Sequence, residues 1–230
     1  MVGYIGIDDT DNLESRGTGH LARAVANRVG EKHHVVGIVR HQLLYDPRVP
    51  YTSHNSSASI IFEPGSDLDL QRLFSDVRLW MMEQFQPGSD PGLCICIDPD
   101  ESLTSFGIKA QQEIVTQDEA RALALHHGTL LEGLGGTQDG VIGALAAVGL
   151  SAGGNDGRYI QFGTIRDLTG ILSINELLLA GLHEVRTIDG KQVTEGYILA
   201  DKLRPARRES KAILFVEKRQ DTWYYPLKLD

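Results

Sequence analysis

The chain has 230 residues, 41% of them hydrophobic and 23% charged, enough for one large core or two small ones. Its formal net charge of −9 argues against broad, sequence-independent nucleic-acid binding, which needs Lys and Arg against phosphates. No apolar run reaches the roughly 18–20 residues of a bilayer span, and the N-terminus enters a strand pattern rather than a signal peptide, so no membrane partner is expected.

Val2 to Ile7 reads as a buried strand that stops at a carboxylate cluster. Leu21, Val25 and Val29 then keep a helical period, and Val35 to Val39 forms a second strand. A loop with two prolines, Tyr45 to Pro50, separates it from a third strand, Ser57 to Phe62. Leu68 to Phe85 is an amphipathic helix, and the turn cluster Pro87 to Gly92 leads into the strand Leu93 to Ile97. Cys94 and Cys96 share one face of that strand, poorly placed for a mutual disulfide and too few for a zinc site. They read as reduced core residues, which favours the cytoplasm. Thr116 and Glu119 make a capping box for the next helix, and the Gly-rich stretch Gly133 to Gly140 opens another at Val141 to Val148. After Gly170 the character changes: Ser173 and Glu176 cap a short helix, and short strands follow at Ala212–Val216 and Trp223–Leu227. A boundary is placed between 1–165 and a β-rich C-terminal module, 166–230.

Three carboxylates fall within Asp8-Asp9-Thr10-Asp11. Like charges so close repel unless a cation offsets them, and hard oxygen ligands suit Mg2+; the alternative is a turn whose Asp side chains cap backbone N–H groups. Gly17-Thr18-Gly19-His20 precedes the first helix, where glycines and the helix dipole favour a phosphate. Gly135 to Gly140 makes the same offer to the Val141 helix, although neither stretch is a Walker or dinucleotide motif. The polar run Thr52 to Ser57 and Lys109 could line such a site, or be an ordinary loop and a solvated lysine. His33-His34 and His126-His127 read as surface or capping residues. Seven basic against two acidic residues between Lys202 and Arg219 read as a solvated surface, with an anion-binding face as the alternative.

Gly6-Ile7-Asp8-Asp9-Thr10-Asp11, then Asp46-Pro47-Arg48-Val49-Pro50 with Thr52 and Asn55, then Phe106 to Ala110, then Gly140 to Gly149 occur in that order across the first two thirds of the chain. Together they resemble the archaeal tRNA-isoleucine 2-agmatinylcytidine synthetases. The resemblance implies an α/β (α+β) fold, with a kinase-like ATP-binding domain beside a ferredoxin-like domain. It implies ATP and Mg2+ as cofactors, activation of a tRNA cytidine oxygen by ATP, and displacement of the phosphate by agmatine. Asp8, Asp9 and Asp11 would be the magnesium and triphosphate ligands, and Gly140 and Gly143 would give backbone approach to the nucleotide. Thr18 or His20 would accept or orient a phosphoryl group, with Thr10, Gly17, Thr52, Asn55 and Lys109 around the nucleotide. The chain departs from the family at His20, in place of a threonine, and at Ser53 and Asp139, in place of arginines; residues 166–230 hold no CxxC pair. The leading reading is an ATP- and Mg2+-dependent, ligase- or kinase-like enzyme acting on a small molecule or RNA. A module that senses a nucleotide or small anion without turnover, and a scaffold with an empty site, are the alternatives; a homodimer is left open.

Overall fold

The computed structural model describes residues 1–10, 17–49, 54–84, 86 and 88–229; Asp11, Thr52 and Ser53 lie outside that set. The chain divides into two compact units, Met1–Gly153 and Gly154–Asp230.

The first unit runs β1 (Gly3–Asp8), α1 (Thr18–Val29), β2 (His34–Gln42), β3 (Ser56–Glu63), α2 (Leu70–Met82), β4 (Gly92–Ile97), α3 (Glu101–Gln112), α4 (Gln117–His127), β5 (Leu130–Gly133) and α5 (Gly140–Gly153). Its sheet has the order β5-β4-β1-β3-β2, every neighbouring pair antiparallel. The central strand β1 is buried on both faces, as its unbroken apolar run requires: Ile5 and Ile7 are fully covered beside Ile60 and Ile95. Helices α1 and α2 pack against each other, with α1 on the sheet, and α5 lies across all five strands. That placement explains why α5 is apolar nearly all round, with Val141, Leu145 and Val148 at zero exposure.

The helix starts follow side-chain caps. Asp69 accepts from the Arg72 N–H at the head of α2, and Asp100 from the Ser102 N–H at the head of α3. The Thr116–Glu119 capping box of α4 is present, and Gly128 ends that helix in the left-handed conformation. Helix α3 and the four-residue strand β5 are regular elements of this unit that the sequence pattern does not announce. Helix α3 packs on α5 with close backbone approach at Gly107, whose would-be β-carbon lies 2.9 Å from the Ala146 carbonyl oxygen, a contact that leaves no mark on a hydrophobic stripe. Cys94 and Cys96 are buried free thiols, and burial raises both of their pKa values.

The second unit contains β6 (Arg158–Gln161), β7 (Gly170–Ser173), α6 (Ile174–Leu179), β8 (Glu184–Thr187), β9 (Tyr197–Ala200), β10 (Ala206–Arg208), β11 (Lys211–Gln220) and β12 (Trp223–Pro226). Its strands run in the order β6-β10-β11-β12-β9-β7, with β8 parallel to β11. Because β6 pairs with β10, residues before 166 group with this module, and the change of character near Gly170 falls inside it. Ser173 and Glu176 form the expected capping box at α6. Much of the basic run is spent internally. Buried Arg207 donates to the Tyr159 hydroxyl at 2.7 Å, Arg208 to the Gly157 carbonyl at 3.2 Å, and Lys211 to Glu184 at 2.7 Å. The protein is thus of the mixed α/β, α+β class expected. Among the described residues, no helix is long and apolar enough to cross a membrane.

Candidate functional site

Strand β1 ends by pushing two carboxylates out of the core. Asp8 is its last residue, and Asp9 follows with φ +46°, a left-handed conformation that Asp adopts at lower cost than most residues. Both line a cleft of about 240 Å³ in the first unit. Thr18, the first residue of α1, forms part of the same wall. The rest of the lining includes Asn55 just before β3 and Ser56 at its start, Glu113 to Val115 after α3, and Asp139, Gly140, Ile142 and Gly143 at the head of α5.

The local chain explains why these groups meet. A β-carbon at Gly143 would lie 1.9 Å from Asp8 Oδ2, so the carboxylate rests directly on the helix backbone. Gly140 is equally close-packed, its would-be β-carbon 2.1 Å from the Asp90 carbonyl oxygen. These two glycines therefore serve the packing of the chain itself and expose the first turn of α5 to the cleft. The Thr10 hydroxyl donates to Thr18 Oγ1 at 3.3 Å, tying the end of the acidic loop to the start of α1. Thr10 is itself buried and does not line the cleft. Asn55 donates from Nδ2 to the Leu44 carbonyl at 2.8 Å, while its own carbonyl accepts from the Gln42 side chain at 2.7 Å, which fixes the entry into β3.

The structure thus brings together Asp8, Asp9, Thr18, Asn55, Gly140 and Gly143. Gly17 and His20 stand just outside, where the His20 N–H donates to the Gly17 carbonyl at 2.8 Å. Lys109 is also outside the lining. Its ammonium is 2.6 Å from Glu119, on the surface between α3 and the capping box of α4. That hydrogen bond, with those from Thr116, holds the Glu119 carboxyl at about 2. A depressed carboxylate stabilises the fold fully above its ordinary pKa of about 4.5, and the contribution fades as pH falls from there toward about 2. Lys109→Ala is accordingly expected to leave nucleotide affinity within about twofold, and to cost little stability because the pair is exposed. Isothermal titration beside a thermal melt checks both, and a tenfold loss of affinity would put Lys109 back among the ligand contacts.

His54 and Ser56, from the polar run, are on the wall, while Arg48, Glu113 and Asp139 are wall residues that sequence reasoning does not single out as ligand contacts. For Arg48 the available signal is the Asp46-Pro47-Arg48 spacing in the two-proline loop. Its guanidinium makes a two-pronged pair with Asp46, Nε to Oδ1 at 2.9 Å and Nη2 to Oδ2 at 2.8 Å, which holds the Asp46 carboxyl at about 2. Asp139 accepts from the Gln117 amide at 2.6 Å and from the Thr137 hydroxyl at 2.9 Å. With four carboxylates among its described wall residues, the cleft repels a bare polyphosphate and suits one carried with a divalent cation. Among the described residues no three His, Cys, Asp or Glu side chains close into a metal nest. Two neighbouring carboxylates fit Mg2+, which completes its shell with water and phosphate oxygens rather than with a full protein cage.

No family model matches the chain. Over 156 residues it is 30% identical to TiaS, the isoleucine-tRNA 2-agmatinylcytidine synthetase of Pyrococcus horikoshii, covering 65% of this chain and 36% of the synthetase. Over 151 residues it is 28% identical to an uncharacterised protein of Methanocaldococcus jannaschii, covering 64% of this chain and 49% of that protein. Among solved structures it is similar to the complex of TiaS with an isoleucine tRNA and ATP, with a TM-score of 0.57 and 28% identity over 65% of this chain and 36% of that one. The chain is homologous to the synthetase over this part, as the ordered motifs implied, and spans half or less of the length of these curated relatives.

Proposed function

We propose that Met1–Gly153 is an ATP- and Mg2+-dependent domain, ligase- or kinase-like, that activates a substrate oxygen by phosphoryl transfer. The observation that carries this reading is the meeting of Asp8, Asp9, Thr18 and the first turn of α5 in one cleft. The homologous synthetase, solved with ATP and an isoleucine tRNA, supports it. The β-α-β-β-α-β run from β1 to β4, with sheet order β4-β1-β3-β2, supports a ferredoxin-like reading of this half. The two reduced thiols support a cytoplasmic home.

Asp8 and Asp9 would hold the Mg2+ ion, with Asp11 as a further ligand from outside the described residues. Bound there, the ion supplies neutralisation of phosphate charge. The chain's own contributions are positional. Asp8 is backed by the α5 helix at Gly143, so its carboxylate cannot retreat when it engages a cation. The positive end of α5 faces the same space and favours a phosphate. The Thr18 hydroxyl, on the wall, is better placed than His20 to orient a phosphoryl group. Asn55 and Ser56 add polar groups to the lining. Such a site works through charge stabilisation and alignment rather than through an acid–base relay. The substrate class proposed is a small molecule or RNA.

One observation favours a second reading, a nucleotide-sensing module without turnover: Arg48, the arginine among the described wall residues, is engaged by Asp46. Product analysis separates the two. Incubation with ATP, Mg2+, agmatine and bulk tRNA is expected to release AMP or ADP at a rate that Asp8→Asn abolishes. Nucleotide binding without product release would leave the sensor reading in place of the enzyme.

A further inference from the structure

Negative charge is concentrated in one unit. Residues 1–153 carry 20 acidic against 10 basic side chains, while residues 154–230 carry 11 against 12. The near-neutral second unit also exposes an apolar sheet face. Ile171 on β7 pairs with Leu199 on β9, and Tyr197 on β9 pairs with Trp223 on β12. Paired residues share a face, and so do residues two apart on one strand, so Tyr225 joins the same side. These five side chains are 40–63% exposed, whereas the alternate residues Ile198 and Ala200 are buried beneath them. Trp223 and Tyr197 meet with ring centroids 5.8 Å apart and planes tilted by 40°, an aromatic pair at the centre of the patch. At its rim Arg219 lies 5.3 Å from the Tyr225 ring centre and 3.4 Å from Glu217.

We propose that this face of β7, β9 and β12 is a self-association surface whose occupant is the same face of a second copy of the chain. The five side chains leave on the order of 500 Å² of apolar surface per copy, at the upper end for a monomer's largest patch and most of one partner's share of a standard interface. A two-fold contact must be self-complementary. An apolar centre with one cation, Arg219, and one anion, Glu217, on its rim meets that condition, because each copy's arginine can face the other's glutamate. The even balance of the second unit adds no net repulsion between copies. Trp and Tyr at the middle and Arg at the edge are the side chains that anchor such contacts.

Sedimentation equilibrium of the full chain from about 1 to about 100 µM tests this, a range that detects even the weak, micromolar end of standard-size contacts. Wild type is expected to reach dimer mass, with Trp223 fluorescence shifting to the blue in a Trp80→Phe background. Leu199→Glu is expected to raise the dissociation constant about tenfold or more. Ile171→Glu, on the neighbouring strand, is the second variant, and both positions are exposed enough for the fold to bear a charge. A monomer at the top concentration overturns the proposal, as does a dimer that neither variant weakens. Binding of a single-stranded oligonucleotide by a monomeric wild type, lost in Trp223→Ser, would also overturn it and reassign the face to nucleic acid.

Discussion

Gly6→Ala is expected to lower the thermal midpoint of the first unit by about 10 °C, more than any surface change in the chain. A β-carbon at position 6 would sit 1.9 Å from the Ala144 carbonyl oxygen and 2.9 Å from its carbonyl carbon. Both are backbone atoms of α5, so no side-chain tip can swing away. The helix must lift from the central strand or the strand must bend, and overpacking of this kind costs about 3 kcal/mol or more. Alanine is otherwise harmless in a strand, so the loss measures the approach of helix to sheet. Gly30→Ala is a fitting control, since its nearest contact would be 3.2 Å and its φ of −63° suits any residue. Calorimetry of the two variants checks this, and an unchanged midpoint for Gly6→Ala would mean that α5 does not lie on β1 as described.

The second large effect is expected at Asp8. Asparagine has nearly the same shape, so Asp8→Asn keeps the contact with Gly143 while removing the charge. Loss of a charge-assisted contact is worth about 1.5–3 kcal/mol, so magnesium-dependent ATP affinity should fall roughly ten- to hundredfold. Asp9→Asn is a companion change, because asparagine tolerates the left-handed backbone found there. Its melt should match wild type, so that any affinity lost reports charge and not folding.

Regular elements are legible where one physical signal dominates. The apolar run of β1, the capping boxes at Thr116 and Ser173 and the apolar α5 all stand where patterning puts them. Small residues hide the rest. Gly107 lets α3 pack closely on α5, and its stripe is correspondingly faint. Short strands such as β6 and β10 carry three or four residues, too few for a period to show. At the site, Asp8, Asp9 and the head of α5 are visible as motifs, but that they share one cleft depends on sheet order, which no local pattern encodes. Lys109 stands out in the sequence for its charge, and the decisive fact, Glu119 at 2.6 Å, belongs to a different helix. Arg48 is hidden for the converse reason: its loop looks irregular, and its place on the wall comes from where β2 and β3 lie in the sheet.

The most direct test of a metal–nucleotide site at the β1 loop is isothermal titration of ATP into the protein, with and without Mg2+, repeated on Asp8→Asn. The predicted result is binding that requires Mg2+ in the wild type and is lost or weakened at least about tenfold in the variant. No binding at millimolar ATP, or equal binding by wild type and Asp8→Asn, would contradict it and leave the aspartates of the β1 loop as turn residues.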